Sequence, residues 1–296
     1  MRRFHLPFRL SAGLAACLLL SNIAAAEPLP APVAEIRALL ASGDADRAIE
    51  AADRAVEGFA GNAHAWFWAG RAYGLKAMQA NIFAKPKWAG RTRDAWERAV
   101  ALDPRHVDAH LSLLDFYRMA PSIMGGGEDK ANAQVATIAR LDASLGKFAE
   151  ATLAYADDEA RGGALLREAL ALDANNRRAR MFLAAVAMQR EDWTAARAAW
   201  EPALDAGPLQ AVARYQLGKV AALSGDGLDT GLAHLDAYIA GEPDPELSVP
   251  AAHWRRGQIL EKLGRGEEAI AAYRLALADP DVRKLAEADL ARLTGS

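Results

Sequence analysis

The sequence holds a single cysteine, Cys17, and it falls inside an N-terminal apolar run. If that run is removed on export, no cysteine is left, and neither disulfides nor thiol catalysis can serve the folded chain. Beyond residue 26 no stretch is long and apolar enough to span a bilayer. No cluster of basic residues stands out, which argues against the concentrated positive face that nucleic acid requires. A serine–histidine–acid arrangement with a supporting sequence context is missing too, as are convincing paired carboxylates. These gaps point away from catalysis.

What is present begins with a leader. Arg2, Arg3 and Arg9 form a basic front, Leu10 to Ala26 is apolar apart from Ser11, Ser21 and Asn22, and Ala24-Ala25-Ala26 offers small residues before Glu27. This is the pattern of a signal peptide over 1–26, and Pro28 and Pro30 stop a helix there, leaving 27–32 as a proline-rich linker. Export to a bacterial periplasm, or secretion, is therefore expected. Leu14-Ala15-Ala16-Cys17 offers a second reading, acylation at Cys17, but Leu18-Leu19-Leu20 continues the apolar run where lipoproteins turn polar. Cleavage near Ala26 fits better. It takes Lys+Arg from 35 to 32 against 38 acidic residues, a balance of −6.

Glycine, tyrosine, alanine, an aromatic, alanine and proline then recur at the spacings of one two-helix unit, about seven times. The clearest copy runs from Leu183 and Ala184 through Ala196, Trp200 and Ala203 to Pro208, and another from Gly257 through Leu260, Gly264, Ala269 and Tyr273 to Ala276. A period in the thirties predicts a stacked helical array. The repeats are read at about 33–60, 63–106, 107–145, 146–174, 175–208, 211–245 and 250–280, with a capping helix at 282–293. The second is interrupted by about ten residues around Lys76 to Arg91, and the third by Ala120 to Gly127. In the fourth the first helix, near Lys147 to Asp157, has poor register.

Lined up, the close-approach place on the second helix reads Ala48, Thr92, Ala131, Gly162, Ala196, Gly231 and Ala269. A later place reads Ala55, Ala99, Ile138, Ala169, Ala203, Tyr238 and Ala276. Small residues belong where two helices approach most closely.

This pattern resembles the tetratricopeptide repeat over nearly all of the chain beyond the leader. The resemblance implies an all-α, right-handed superhelical solenoid of about seven helix pairs, and a non-catalytic scaffold or adaptor that holds a protein or peptide in its concave groove. If the family geometry holds, set places of each first helix face that groove. They give Phe67, Arg71, Asp115, Arg118, Met181, Tyr215, Lys219, Trp254, Gln258 and Lys262 as partner-binding residues, with His64, Leu111 and Met188 beside them. Aromatics and methionines mixed with cations suit peptide recognition. The segment Ala120 to Lys130 is also similar to one in exported bacterial repeat proteins, some of which accompany periplasmic solute transporters. That gives the second reading, a small-ligand or transporter-accessory protein.

Three features could carry chemistry. His106 and His110 lie four apart with Asp108 between, but no third ligand is apparent, so no metal or other cofactor is expected. His106 is read as a cap after Pro104, and His110 as a packing residue. Gly125-Gly126-Gly127 lacks the lysine and hydroxyl of a phosphate loop and is read as a turn. The inserted Ile82, Phe83, Lys85, Pro86, Lys87 and Trp88 are read as packing over the neighbouring repeat or, alternatively, as a flap.

Overall fold

Short polar residues decide where these helices begin. Asn62, His106, Asp142, Asn176 and Ser248 each accept a hydrogen bond from the backbone N–H three residues on, and each opens the first helix of a pair. Asp44 and Asp192 do the same for second helices. In a computed structural model, residues 31–205 and 207–295 are described. They contain fifteen α-helices and no strand. The expected leader, Cys17 and most of the linker lie outside the described residues. Among the described residues no helix is long and apolar enough to cross a membrane.

The helices form consecutive pairs: α1 (Ala31–Ala41) with α2 (Ala45–Gly58), α3 (Ala63–Gln79) with α4 (Lys85–Leu102), α5 (Val107–Met119) with α6 (Glu128–Leu141), and α7 (Ala143–Ala154) with α8 (Glu159–Leu172). These make up one compact half, 31–172. The second half, 173–295, holds α9 (Arg177–Gln189) with α10 (Trp193–Ala198), α11 (Gln210–Ser224) with α12 (Leu228–Ala240), α13 (Val249–Lys262) with α14 (Gly266–Ala276), and a final α15 (Pro280–Thr294). Within each half every helix packs mainly on the next, and first helices also pack side by side, α1 on α3, α5 on α7 and α11 on α13. Such a stack builds its core from neighbours alone.

The two rows of close-approach positions are buried throughout. Ala48, Thr92, Ala131, Gly162, Ala196, Gly231 and Ala269 lie inside, as do Ala55, Ala99, Ile138, Ala169, Ala203, Tyr238 and Ala276. Opposite them, first-helix glycines receive large side chains. A Cβ on Gly257 would lie 2.5 Å from the Tyr273 ring, and one on Gly70 or Gly218 would collide with Trp96 or Leu235. The glycine and its partner are 16 residues apart in the seventh repeat, 17 in the sixth and 26 in the second. The extra residues are therefore absorbed without moving this contact. In the fifth repeat Ala184 takes the glycine's place against Trp200, which is fully buried.

Three segments differ from the sequence expectation. The interruption after Lys76 extends α3 to Gln79 and starts α4 at Lys85, with Pro86 tolerated in the first turn. Of its apolar residues Trp88 packs on the core, but Ile82 and Phe83 stay exposed instead of packing over a neighbouring repeat. The first helix of the fourth repeat starts at Ala143 rather than near Lys147, because Asp142 caps it. Helix α1 starts at Ala31, inside the expected linker, since Pro32 also sits in a first turn.

Four of the seven first helices, α1, α9, α11 and α13, are followed within two residues by a left-handed residue. Gly43 (φ +71°) and Gly264 (φ +75°) occupy this place, but in the fifth repeat it falls to Glu191, the one non-glycine residue with positive φ among the described residues, at φ 56°. A side chain there costs roughly 1–2 kcal/mol, and glycine's greater freedom in the unfolded chain returns about half of that. Glu191→Gly is expected to raise stability by about 0.5–1 kcal/mol in urea unfolding. An unchanged or lowered midpoint would show that the turn is unstrained.

Candidate functional site

The second helices spend their small and aromatic residues on interior packing, so the surface left for contact is set by the first helices. In the 173–295 half these are α9, α11 and α13. Gln216 donates its amide to Met181 Sδ at 3.6 Å, tying α11 to α9, and Lys262 Nζ donates to the Leu223 carbonyl at 3.4 Å, tying α13 to α11. Of the residues expected to face a partner, Met181, Tyr215, Lys219, Trp254 and Gln258 are half-buried and Lys262 is exposed.

Tyr215 sets its ring edge-on to Tyr238 at 5.4 Å, and burial raises its phenol pKa. Trp254 donates its indole N–H to Asp289 of α15 at 2.9 Å, and it packs against the cores on both sides of α13. Both rings therefore have one side in the core.

Sequence reasoning missed Arg255. Its guanidinium stands 4.1 Å from the centroid of the Trp254 ring and donates to Gln258 Oε1 at 2.9 Å. Its Nε is buried and makes no hydrogen bond, and it has no ion pair among the described residues. Burial lowers its pKa, which fits a cation held from water and short of an acceptor. The one signal in the sequence was an arginine directly after an aromatic anchor.

A second cation, Arg177, differs in being ion-paired, although its Nε too is buried without a hydrogen bond. It grips both oxygens of Asp244, at 2.7 and 3.2 Å, and approaches Glu246 at 3.4 Å. The linker between α12 and α13 is fixed at its other end by Tyr238, whose hydroxyl donates to the Leu247 carbonyl at 2.7 Å. With only 7% of the Arg177 side chain exposed, this ion pair is structural.

In the 31–172 half the expected residues are placed less openly. Phe67 is a correction: it is 4% exposed and packs between Trp68 and His106, with ring centroids at 5.5 and 4.8 Å. It fills the gap between α3 and α5 rather than facing a partner. Leu111 is buried as well. Arg71 lies over Trp68 at 4.7 Å, with Arg37 of α1 on the same ring at 5.2 Å. Asp115 and Arg118 pair with each other at 3.5 Å. The ten residues thus form two sets, one in each half, with Phe67 withdrawn into the core.

His106 and His110 are both held. His106 caps α5, its Nδ1 accepting the Ala109 N–H at 3.3 Å, while His110 bonds Gln134 at 2.7 Å and the Pro104 carbonyl at 3.0 Å. Among the described residues no group of three or more His, Cys, Asp or Glu is placed to hold a metal ion. Residues 122–124 form a short 3-10 turn, and Gly127 leads into α6.

Two family models match the chain. A tetratricopeptide repeat-like domain matches residues 156–294, and a tetratricopeptide repeat matches residues 33–84, together more than half of the sequence. The chain belongs to the tetratricopeptide repeat family. No curated protein matches its sequence. Among solved structures it is similar to the anaphase-promoting-complex hetero-tetramer Cut9–Hcn1, at 17% identity and TM-score 0.48, over 90% of this chain and 49% of that one. It is also similar to a tetratricopeptide repeat protein from Parabacteroides merdae, at 12% identity and TM-score 0.45, over 90% of this chain and 98% of that one. The type IV pilus biogenesis factor PilW follows at 16% identity and TM-score 0.45, over 71% and 93%. At these identities the likeness concerns fold alone. Tetratricopeptide repeats generally mediate protein–protein interaction and are generally non-catalytic.

The capping role of His106 has a pH signature. Burial lowers its pKa, and the nearby His64 ring, 4.7 Å away, acts in the same direction. A histidine whose folded pKa is depressed contributes its full stability above its unfolded value, about 6.5, and loses it as pH falls below that. Protonation at Nδ1 also removes the acceptor for Ala109. Thermal unfolding of the 31–172 half is expected to move to lower temperature between about pH 7.5 and about pH 5. His106→Asn keeps a cap and should flatten part of that slope; an unaltered slope would contradict the assignment.

Proposed function

We propose that this chain is an exported, non-catalytic scaffold that holds a segment of a protein partner on the first-helix faces of its repeats. The observation that carries this is the face of α9, α11 and α13, where Met181, Tyr215, Trp254 and Gln258 stand half-buried beside Lys219, Lys262 and the desolvated Arg255. A few large anchors with an inner cation and outer lysines make an arrangement suited to peptide recognition. The basic front and apolar run of residues 1–26 support export to the periplasm, with cleavage near Ala26.

Arg255 also supports the second reading, a small anionic ligand handed to or from a transporter. The two readings part on size. A protein partner is captured by crosslinking in periplasmic extract, whereas a small ligand appears as added mass in native mass spectrometry.

For the scaffold reading, Lys219→Glu with Lys262→Glu is expected to lower partner capture about tenfold, with only a small loss of thermal stability from the Lys262–Leu223 hydrogen bond, because reversed charges act mainly on association. Undiminished capture would remove this face from the account. Absence of any crosslinked partner would remove the scaffold reading itself.

A further inference from the structure

The second repeat carries a lengthened hairpin tip whose apolar side chains are left exposed, although Gln79 at its base bonds the Gly43 carbonyl. The glycine-to-partner offset is 26 residues there against 16 in the seventh repeat. Ten further residues shared between two helices lengthen the hairpin by about 7 Å, at roughly 1.5 Å per residue. The added length ends in the turn between Gln79 and Lys85, where Met78 is 70%, Ile82 78% and Phe83 92% exposed. In the next repeat Met119 and Ile123 are 68% and 94% exposed. Arg93 of α4 donates to the Met124 carbonyl at 3.2 Å and holds that turn against the long hairpin.

These five are the most exposed of the large apolar side chains described, ahead of every one in the rest of the chain. Lone exposed apolar residues need no explanation, but a set confined to one edge of one half does. Trp88 is the exception within the insertion, since it packs back against the core near Tyr73, with ring centroids at 6.3 Å.

Charge says what would cover the edge. From Gly58 to Arg93 there is no Asp or Glu, while Arg71, Lys76, Lys85, Lys87, Arg91 and Arg93 all fall in that stretch. Lys76, Arg91 and Arg93 are paired with Asp46, Asp53 and Asp94. Lys85 and Lys87, directly beside the tip, have no ion pair among the described residues, and Lys87 lies over Trp88 at 5.4 Å. The chain as a whole is negative, at −3. Around the second turn, Asp94 and Glu97 pair with Arg93, and Glu128 and Asp129 sit in the first turn of α6, where they face the positive end of that helix.

From this we infer that the α3–α4 tip docks on an anionic bilayer surface. Ile82 and Phe83, with Met78, enter the boundary between headgroups and acyl chains, and Lys85 and Lys87 meet lipid phosphates. A narrow projection offers a protein partner little area, whereas a bilayer needs no complementary pocket to bury it. Interfacial binding grows with apolar area inserted plus attraction of basic side chains to anionic lipid. Met119 and Ile123 widen the apolar footprint.

The test is hydrogen exchange of the full chain with vesicles of roughly one third phosphatidylglycerol in phosphatidylcholine, and with phosphatidylcholine alone. Slowed exchange is expected at residues 78–88 with the anionic vesicles, and weakening of that protection by salt. This readout is local, so retention of the leader or a lipid on Cys17 does not imitate it. In flotation, Lys85→Gln with Lys87→Gln should lower partitioning about twenty-five-fold, from about fivefold per lysine. Ile82→Asp with Phe83→Asp should lower it at least about tenfold. Because these side chains are exposed, the variants should keep wild-type helix content, checked by circular dichroism. No protection at 78–88, or equal protection on phosphatidylcholine, would overturn the proposal. So would protection that rises with protein concentration without vesicles, since a second copy would then cover the tip.

Discussion

In this chain a bare stretch of first helix, where the side chain is a single hydrogen or methyl, lets a large residue of the second helix sit directly on the backbone. Gly70 lies beneath Trp96, Gly218 beneath Leu235, Gly257 beneath Tyr273, and Ala184 packs in one cluster with Trp200. The contact is short-range and apolar, and dispersion at that distance is lost quickly if the helices part. In the second repeat it gains a polar component, since the Trp96 indole donates to the Phe67 carbonyl at 3.1 Å. Insertions of one or ten residues between the two partners leave the pairing in place. The turn can vary because the pairing does not depend on it.

The same constraint divides labour between the helices. A second helix that must supply alanines on one side and an aromatic on another has little left to offer a partner. First helices pack side by side within each half and keep one face partly open, where Tyr215, Trp254 and Gln258 stand. Caps at Asn62, Asn176 and Ser248 then fix where α3, α9 and α13 begin, so that Gly70, Ala184 and Gly257 arrive opposite their partners. Where a cap is an imidazole, as at His106, the helix start becomes sensitive to protonation.

The two close-approach rows were legible from spacing alone because they obey a local rule: a small residue every repeat, at a fixed place on one helix. All fourteen positions are buried, including Ile138 and Tyr238, which are large. The cap at His106 was legible as well, from its place just after Pro104. The candidate site was less so. Phe67 shares a register place with the half-buried Met181, Tyr215 and Trp254, yet His106 and Trp68 close over it. Only the neighbours in space decide that. The Arg177–Asp244 ion pair spans 67 residues and has no local mark. Arg255 reads as one more surface arginine until its stacking on Trp254 is seen.

The central claim is that a missing side chain on the first helix and a large one on the second are two parts of one contact. A double-mutant cycle on Gly218→Ala and Leu235→Ala measures this directly, because Leu235 is fully buried and a Cβ on Gly218 would strike it. Each change alone should destabilise the 173–295 half, the first by crowding and the second by a cavity. Together the new methyl occupies the space that leucine leaves, and the pair should be more stable than the two separate losses predict by about 0.5–3 kcal/mol. Additive losses would mean that the two positions do not share a contact, and the account of how these helices pair would fail.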